Sequence, residues 1–339
     1  MTTIFVTGGA GFIGSAFVRL VLEENKDLRI VDFDALTYAG NLENLEGVAP
    51  TRHAFIKGDI CDRDAVMSAL PDGCDAIFNF AAESHVDRSI HSADEFLRTN
   101  IIGTQVLLDV ARAKNVRRFV QISTDEVMGS LPDESDEYFA EDSPLQPNSP
   151  YAASKASAEF VVRAARKTFG IDTVVTRCGN NYGPRQFPEK LIPLMISNAM
   201  NDDPLPVYGD GKNVRDWIFV DDHCRAIWKA YEKGRSGEVY NIGSRNEKYN
   251  IDVVRSLLDA LDKPESLITF VTDRLGHDRR YAIDPTKCET ELGWKPLVAW
   301  EAGLKITIDW YRENQAWVDH IRNGEYRNYY KTMYGAALK

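Results

Sequence analysis

Short apolar runs alternate with longer segments of helical periodicity in the first half of the chain. The run at residues 4–7 is β-branched and followed by glycines, which is typical of a buried strand. Residues 12–24 then carry apolar side chains at helical spacing. The same alternation predicts strands at residues 28–32, 53–60, 76–82, 118–123 and 173–177, and helices at residues 62–70, 95–114 and 154–169. This order predicts an α/β protein with a doubly wound parallel sheet.

The pattern changes after residue 177, where Pro184, Pro188, Pro193, Pro204 and Pro206 interrupt it. Further on, residues 217–220 and 238–242 predict strands that return to the sheet, and residues 251–261 predict an amphipathic helix. We therefore expect two domains, each built from separate stretches of chain. The first comprises residues 1–178 and about 214–245, and the second, a smaller α/β domain, comprises about 179–213 and 246–339.

Composition narrows the class of partner. The chain has 339 residues, of which 44% are hydrophobic and 27% charged, as in an ordinary globular protein. Its formal net charge is −11, whereas nucleic-acid-binding proteins are usually basic. The charge therefore disfavours a nucleic-acid partner, and it leaves room for a small anionic ligand held by a few local cations.

Cysteine and histidine spacing predicts neither a disulfide framework nor a metal site. The five cysteines are far apart and form no Cys-x-x-Cys, and the six histidines form no His-x-His or His-Glu-x-x-His motif. No apolar run reaches the roughly 18 residues of a membrane span, and no secretory leader is recognisable. These features predict a cytoplasmic protein without a membrane partner.

Three glycines follow the first predicted strand and open the first predicted helix. Gly8, Gly11 and Gly14 form a Gly-x-x-Gly-x-x-Gly motif. Such a turn needs residues that tolerate positive φ, and it lets the backbone approach a pyrophosphate at a helix N-terminus. Because the glycines lie between a strand and a helix, we interpret them as the phosphate loop of a dinucleotide-binding Rossmann sheet.

An acidic residue at the end of the second predicted strand indicates which dinucleotide is bound. Asp32 follows Gly14 by 18 residues. A carboxylate there accepts hydrogen bonds from the adenosine ribose and repels a 2′-phosphate, which favours NAD over NADP. Asp34 is the weaker candidate for this role. Asp59 and Ile60 are expected beside the adenine, although a plain strand-end acid is a nearly equal interpretation of Asp59.

Tyr151 and Lys155 form a Tyr-x-x-x-Lys motif at the start of a predicted helix. This spacing places both side chains on one helix face. The ammonium group of Lys155 would favour the phenolate of Tyr151, which would then act as a base near neutral pH. Lys155 is also placed to hold the nicotinamide ribose.

Thr124, Asp125 and Glu126 follow the strand predicted at residues 118–123. Ligands of doubly wound sheets bind beyond the carboxyl ends of the strands, which is where this cluster falls. A hydroxyl and two carboxyls suit a substrate with several hydroxyl groups, with one carboxyl as acid and the other as base. The alternative interpretation is that the aspartate or the glutamate is a plain helix N-cap.

With these motifs the chain resembles the dTDP-glucose 4,6-dehydratases, a branch of the extended short-chain dehydrogenase/reductase family. The glycines and Tyr-x-x-x-Lys identify only the superfamily, whereas Thr-Asp-Glu and the later motifs indicate the branch. The resemblance spans nearly the whole sequence and is carried by TGGAGFIG (7–14), DALTYAGN (34–41), AAESHVDRS (81–89), TDEV (124–127), YAASK (151–155), NNYGP-x-QFPEKLIP (180–193), VYGDGKNVRDWIFVDDH (207–223), DR-x-GHDRRYAID (273–284) and WY-x-x-N (310–314).

The resemblance implies a lyase with tightly bound NAD that converts a nucleotide-diphosphate hexose into a 4-keto-6-deoxy sugar. Tyr151 would take the proton of the C4 hydroxyl while C4 gives hydride to NAD. Glu126 would then remove the C5 proton, and Asp125 would protonate the departing C6 hydroxyl. Hydride returns to C6, so no net oxidation occurs, and Thr124 would hydrogen-bond near O4.

Together with the motifs, the resemblance implies two sets of binding residues. Those expected around the cofactor are Gly8, Gly11, Phe12, Ile13, Gly14, Asp32, Asp34, Ala35, Asp59, Ile60, Ala81, Ala82, Thr99, Tyr151, Lys155 and Asn181. Those expected around the substrate are Ser84, Thr124, Asp125, Glu126, Asn180, Lys190, Leu191, Pro206, Val207, Tyr208, Arg215, Asn250, Arg274, His277 and Tyr281. Arg215 and Arg274 suit a diphosphate clamp, although solvation is the simpler interpretation of bare arginines.

The resemblance further implies a homodimer joined by the helices predicted at residues 95–114 and 154–169, whose apolar stripes core packing would equally explain. Two positions depart from the family pattern. Met128 stands where tyrosine is usual, which would remove a hydroxyl near the sugar pocket, and Leu275 stands where proline is usual, which would loosen a loop on the nucleotide side.

Several functions therefore stay open. A dTDP-glucose dehydratase is the first expectation, and UDP-, CDP- or GDP-linked or N-acetylated hexoses are alternative substrates. A sugar-nucleotide epimerase or decarboxylase is the nearest rival, because it needs the Tyr-Lys pair but no acid and base at Asp125 and Glu126. A catalytically silent NAD-binding scaffold would need none of these four side chains.

Overall fold

The computed structural model describes residues 2–133 and 135–322. The strands are β1 (Thr2–Thr7), β2 (Leu28–Asp34), β3 (His53–Lys57), β4 (Ala76–Asn79), β5 (Arg118–Thr124), β6 (Thr173–Cys178), β7 (Asn180–Tyr182), β8 (Leu205–Tyr208), β9 (Val214–Phe219), β10 (Val239–Ile242), β11 (Glu247–Tyr249) and β12 (Ile268–Val271). The helices are α1 (Phe12–Glu24), α2 (Arg63–Ala69), α3 (Val86–His91), α4 (Asp94–Phe96), α5 (Thr104–Ala113), α6 (Pro150–Phe169), α7 (Leu191–Met200), α8 (Val220–Lys233), α9 (Asn250–Leu261), α10 (Thr286–Leu292), α11 (Trp300–Glu313) and α12 (Gln315–Ile321).

Seven strands form a parallel sheet in the order β10-β6-β5-β4-β1-β2-β3. Helices cover both faces: α1, α8 and α10 pack on one side, and α2, α5 and α6 on the other. The middle strands are apolar on both faces because both are covered, as in Phe5 and Val6 of β1, which are 0% exposed. The predicted α/β doubly wound sheet is confirmed.

The helix predicted at residues 95–114 is divided in the structure. A π-helical stretch, Leu97–Gly103, links α4 to α5 without a break in the backbone path. Short π-helical stretches inside α-helices are found often at functional sites. Here the stretch contains Thr99, and Gly103 lets it pack against Ile60, since a Cβ on Gly103 would lie 2.5 Å from Ile60 Cδ1.

A second core lies beside the central sheet. Strands β7, β9 and β11 form a three-stranded sheet, β8 and β12 a two-stranded one, and α7, α9, α11 and α12 pack with them. Aromatic rings fill this core: the Tyr182 ring centroid lies 4.9 Å from that of Trp300 and 6.4 Å from that of Trp217.

The prediction that the strand near residues 217–220 returns to the central sheet is wrong. It forms β9, which pairs with β7 and β11, because Trp217 and Phe219 pack into the aromatic core beside Tyr182. Only β10 joins the central sheet from this region. The division into two domains stays a prediction, and the packing of α8 against α1 favours a return to the first domain at Val220 rather than at residue 214. Residues 323–339, predicted in the second domain, lie outside the described residues.

Within the described residues, no helix has both the length and the apolar character that a membrane crossing requires.

Candidate active site

A cavity of about 370 Å³ opens at the carboxyl edge of the central sheet. Parallel strands all end at this edge, so the segments that follow β1, β2, β4, β5 and β6 meet there. The cavity wall contains all predicted cofactor residues except Asp32: Gly8, Gly11, Phe12, Ile13, Gly14, Asp34, Ala35, Asp59, Ile60, Ala81, Ala82, Thr99, Tyr151, Lys155 and Asn181. It also contains the predicted substrate residues Ser84, Thr124, Asp125, Glu126, Asn180 and Lys190.

The glycine loop forms a cradle that only glycine allows. Gly8 has φ of +74°, and a Cβ there would lie 2.6 Å from the backbone nitrogen of Ala81. A Cβ on Gly14 would lie 2.1 Å from the carbonyl oxygen of Gly8. Helix α1 therefore begins directly against the end of β1, and its first backbone N–H groups face the cavity edge. This arrangement fits a dinucleotide pyrophosphate.

The preference for Asp32 as the ribose acceptor is corrected by the structure. Asp32 is 0% exposed and lies behind the loop, where a Cβ on Gly9 would be 2.2 Å from Asp32 Oδ1. Its other oxygen, Oδ2, is 3.3 Å from His53 Nε2. Burial raises the pKa of Asp32. The carboxylate therefore supports the glycine loop from beneath and is not part of the cavity wall.

Asp34, the weaker candidate, takes the place in the cavity wall instead. Its carboxylate accepts hydrogen bonds from the backbone nitrogens of Ala10, at 3.0 Å, and Leu36, at 2.7 Å. Asp32 and Asp34 lie on the same face of β2, because side chains alternate along a strand. Asp32 is paired with Val6 of β1, whereas β1 ends before the position opposite Asp34. Asp34 therefore lies beyond the end of β1, where β2 reaches the cavity.

Tyr151 and Lys155 lie in the first turns of α6. Ser149 caps this helix by accepting from the backbone nitrogen of Ala152, and Pro150 begins it. Both functional side chains are buried, at 8% and 5% exposure. The ammonium group of Lys155 donates to the carbonyl oxygen of Ile122 at 2.6 Å, and burial lowers the pKa of Lys155 to about 8.

The expected depression of the tyrosine pKa is not met in this structure. Burial raises the pKa of Tyr151 well above its usual value, and the negative charge of Glu126 acts in the same direction. The phenol of Tyr151 is therefore protonated here. It can accept a proton only after a positive charge beside it has favoured the phenolate.

The Thr124-Asp125-Glu126 segment is a turn, so its two carboxyls are not forced to opposite sides of a strand. Thr124 caps a single 3₁₀ turn, Asp125–Met128, by accepting from the backbone nitrogen of Glu126 at 3.3 Å. The cap residue is thus Thr124, and the alternative interpretation, in which the aspartate or the glutamate is the N-cap, is wrong. The turn begins directly at the end of β5, and the side chains of Thr124, Asp125 and Glu126 all line the cavity.

The two carboxyls have different electrostatic surroundings. Asp125 is 1% exposed, and burial together with the charge of Glu126 raises its pKa well above the usual value. Burial also raises the pKa of Glu126, but the charges of Arg274, Arg215 and Lys190 oppose that rise. Asp125 Oδ2 has no hydrogen-bond partner among the described residues. Asp125 is thus suited to carry a proton, and Glu126, beside three cations, to give one up and act as a base.

The remaining predicted substrate residues lie outside the cavity wall, beyond the acid pair. They are Leu191, Pro206, Val207, Tyr208, Arg215, Asn250, Arg274, His277 and Tyr281. The structure brings several of them together. The Cζ atom of Arg215 lies 4.2 Å from the ring centroid of Tyr281, and Nη1 of Arg274 lies 3.6 Å from Oδ1 of Asp87. Both guanidinium groups act on the pKa of Glu126, so they are near the catalytic turn and are not solvated surface arginines.

Other wall residues escaped the sequence analysis. Thr37, Ala39, Gly40, Glu83, Glu95, Cys178, Gln186, Phe187 and Glu189 also line the cavity. Most lie within motifs already recognised at residues 34–41, 81–89 and 186–193, so motif membership was the available signal. Arg88 joins these three segments. Its Cζ atom lies 3.9 Å from the ring centroid of Tyr38, and its Nε donates to Glu189 Oε2 at 3.3 Å. Burial raises the pKa of Glu189 to about 7.

The two departures from the family pattern do not affect the cavity wall. Met128 is 2% exposed and packs with Val127, Ala156 and Ile283, so the expectation that it borders the sugar pocket is wrong. Leu275 is 76% exposed and precedes Gly276, whose φ is +63°.

Comparison with known proteins gives one consistent group. A family model described as GDP-mannose 4,6 dehydratase matches residues 5–307. The dTDP-glucose 4,6-dehydratase of Neisseria meningitidis serogroup B is 52% identical over 96% of this chain and 98% of that protein. The same enzyme of Salmonella typhimurium is 48% identical over 98% of both.

Solved structures agree with this grouping. The dTDP-glucose 4,6-dehydratase DesIV of Streptomyces venezuelae, crystallised with NAD bound, superposes with a TM-score of 0.91 at 49% identity over 94% of this chain and all of that one. A UDP-glucose 4-epimerase of Thermotoga maritima superposes with a TM-score of 0.85 at only 30% identity, over 93% of this chain and all of that one. The fold is thus shared with epimerases, whereas the higher sequence identity is to the dehydratases, and the chain belongs to the dTDP-glucose 4,6-dehydratase family.

Proposed function

We propose that this chain catalyses the NAD-dependent 4,6-dehydration of a nucleotide-diphosphate hexose, with dTDP-glucose as its substrate. The product is the dTDP-linked 4-keto-6-deoxy sugar. The observation that carries the proposal is the turn after β5, where Asp125 and Glu126 share a cavity with Tyr151 and Lys155 but differ in electrostatic surroundings. Oxidation alone needs only the tyrosine and the lysine, so the acid pair marks an elimination.

NAD is the cofactor, and the glycine cradle and Asp34 fit it. The cradle receives the pyrophosphate, and the Asp34 carboxylate accepts the ribose hydroxyls while repelling a 2′-phosphate. Bound NAD supplies the acceptor of the C4 hydride and later its donor to C6, and its positive nicotinamide ring favours the Tyr151 phenolate. Lys155 holds the nicotinamide ribose from the helix face it shares with Tyr151.

The protein's own groups divide the proton transfers. Tyr151 accepts the proton of the C4 hydroxyl as C4 becomes a ketone. The ketone acidifies the C5 proton, which Glu126 removes, helped by the cations that favour its ionised form. Asp125, protonated because it is buried, gives its proton to the departing C6 hydroxyl, which leaves as water. As hydride returns to C6, Glu126 returns its proton to C5, which gives the 6-deoxy product. Arg215 and Arg274 hold the diphosphate through charge-assisted hydrogen bonds.

A substrate panel tests the proposed function. We expect turnover of dTDP-glucose, with NMR of the product showing a C6 methyl group and a C4 ketone, and slower turnover of UDP-, CDP-, GDP-linked and N-acetylated hexoses. A C4-inverted hexose as product would identify an epimerase. The absence of turnover in NAD-loaded protein across the panel would favour the silent scaffold.

Exposed apolar side chains support the proposal that the protein is a homodimer. Ile102, Phe160 and Phe169 are 55%, 58% and 51% exposed, and they lie on the π-helical stretch and on α6, which contact each other. Pairing of these helices between two copies would bury them. We also place the protein in the cytoplasm, where its five free cysteines would remain reduced.

The first prediction concerns the choice of dinucleotide. Asp34→Asn keeps the shape of the side chain and removes its charge, so NAD affinity should fall by about 10-fold or more, since a charged hydrogen bond contributes about 1.5–3 kcal/mol. NADP affinity should change less, because the repulsion of its 2′-phosphate is lost. Calorimetric titration of both dinucleotides measures this, with the exposed Asp64→Asn as control. An unchanged NAD-to-NADP ratio in Asp34→Asn would remove Asp34 from the ribose site.

The second prediction concerns the base of the oxidation step. Tyr151→Phe should lower kcat by about 10²–10⁴-fold while leaving NAD content nearly unchanged, because general-base loss affects the proton transfer and not the cradle. Steady-state rates and the absorbance of released NAD measure the two effects. Tyr240→Phe, at a residue equally buried but hydrogen-bonded to Glu291 far from the cavity, is the control. Near-normal turnover of Tyr151→Phe would mean that another group is the base.

The third prediction separates the acid from the base. Glu126→Gln should still oxidise C4 but lose the exchange of the C5 proton with solvent deuterium. Asp125→Asn should keep that exchange and slow the loss of the C6 hydroxyl, provided that the two steps are sequential. NMR of substrate in deuterated buffer distinguishes them. Normal 6-deoxy product from Glu126→Gln would exclude Glu126 from the mechanism.

The fourth prediction concerns assembly. The wild-type chain should sediment at twice its own mass, and Phe160→Glu should sediment at the mass of one chain, because the substitution places a charge in the apolar interface. Phe270→Glu, on β12 and 57% exposed, should leave the dimer intact. A wild-type chain that sediments as a monomer at micromolar concentration would contradict the proposed interface.

A further inference from the structure

A buried ion pair lies beneath the catalytic turn, and none of the proton transfers uses it. Glu159 and Arg177 have side-chain exposures of 4% and 5%. Arg177 donates from Nη2 to Glu159 Oε2 at 2.7 Å and from Nε to Oε1 at 3.1 Å. A pair buried this deeply costs desolvation energy, and apolar side chains of similar volume often stabilise a fold equally well. Stability alone therefore does not explain its presence.

The pair joins α6 and the turn-bearing strand β5, which carry the reactive groups, to the neighbouring strand β6. Glu159 follows Lys155 by one turn and Tyr151 by two, so all three share one face of α6. Arg177 lies in β6 directly opposite Ser123 of β5. Ser123 in turn donates its hydroxyl to Glu159 Oε1 at 2.6 Å.

One carboxylate is thus tied to both strands at the edge where the cavity opens. Ser123 immediately precedes the Thr124-Asp125-Glu126 turn, and Arg177 immediately precedes Cys178 in the cavity wall. Lys155 adds a parallel tie, because it donates to Ile122, the neighbour of Ser123. Hydrogen bonds at Lys155 and Glu159, which lie on successive turns of α6, therefore fix the position of this helix relative to β5.

Resting on the proposed function, we propose that Glu159, held by Arg177 and Ser123, is a positioning residue for the dehydration. It sets the distance between the Tyr151-Lys155 pair on α6 and the acid pair after β5. Its negative charge also keeps Lys155 protonated at working pH.

The surroundings of Lys155 support the electrostatic part. Burial is the largest influence on its pKa and lowers it to about 8, while the charges of Cys178 from β6 and Glu159 from α6 raise it. From β5, the uncharged carbonyl of Ile122 accepts a hydrogen bond from Lys155. Cys178 is itself buried, which raises its pKa to about 12, so at neutral pH it carries no charge. Glu159 is then the anion that sustains the ammonium group.

The same two strands contain a matched control at their other end. Arg118, the first residue of β5, donates to Asp172 from Nε at 3.0 Å and from Nη2 at 2.9 Å, just before β6. This pair also links β5 to the β6 end of the sheet, but it is more exposed, since the Asp172 side chain is 30% exposed, and it lies at the amino edge, away from the cavity.

The experiment compares Glu159→Gln, Glu159→Asp and Asp172→Asn as NAD-loaded enzymes. Glu159→Gln should lower kcat by about 10²-fold, the loss typical of a misplacement of about 1 Å, with KM for dTDP-glucose near the wild-type value. The alkaline limb of its kcat profile should move to lower pH, because Lys155 loses its proton earlier. Glu159→Asp keeps the negative charge, so the alkaline limb of its kcat profile should stay at the wild-type pH. Its kcat should fall less than that of Glu159→Gln. Asp172→Asn should lower the thermal midpoint only.

A readout independent of turnover keeps the two proposals separable. The pKa of Lys155, followed by NMR of ¹³C-labelled lysine, should be lower in Glu159→Gln than in the wild type and unchanged in Asp172→Asn. Wild-type enzyme without turnover would contradict the proposed function, while the NMR comparison would still test Glu159. A Lys155 pKa in Glu159→Gln equal to the wild-type value would overturn the electrostatic part, and wild-type kcat in the folded Glu159→Asp or Glu159→Gln enzyme would overturn the positioning role.

Discussion

Burial of charge at the carboxyl edge of the central sheet is the constraint on which the site depends. Asp125, Lys155, Glu159, Arg177 and Arg215 are each at most 5% exposed. In so dry a setting every charge needs a partner or shifts its pKa. Both outcomes occur here: Glu159 pairs with Arg177, whereas Asp125 Oδ2 has no hydrogen-bond partner among the described residues and burial raises the pKa of Asp125.

The second core supplies what the Rossmann sheet lacks. A doubly wound sheet can provide the glycine cradle, the ribose acceptor and the Tyr-Lys helix from its own connections. The cations near Glu126 come from elsewhere: Arg215 from β9, Lys190 from before α7 and Arg274 from the loop after β12. In the proposed mechanism the elimination therefore depends on both cores, because the cations that favour ionised Glu126 belong to the second one.

The shared fold explains how related enzymes run different reactions. The epimerase of Thermotoga maritima has nearly the same architecture at 30% identity. A shared fold therefore does not identify the reaction, which has to be argued from the residues of the site. In this chain the Asp125-Glu126 turn after β5 and the cations near Glu126 are the features on which the proposed dehydration rests.

The sequence by itself determined the sheet and most of the cavity wall. Hydrophobic periodicity predicted α1 at its observed bounds and the six strands up to β6, because local pattern sets those elements, and the glycine and Tyr-x-x-x-Lys spacings identified chemistry that depends on near neighbours. Only the tertiary structure decided between Asp32 and Asp34, removed Met128 from the pocket and assigned β9 to the second core. Each of these depends on which element covers a side chain. It also separated the pKa behaviour of Asp125 from that of Glu126, since the deciding cations are 64 or more residues away in the chain and burial is a property of the folded molecule.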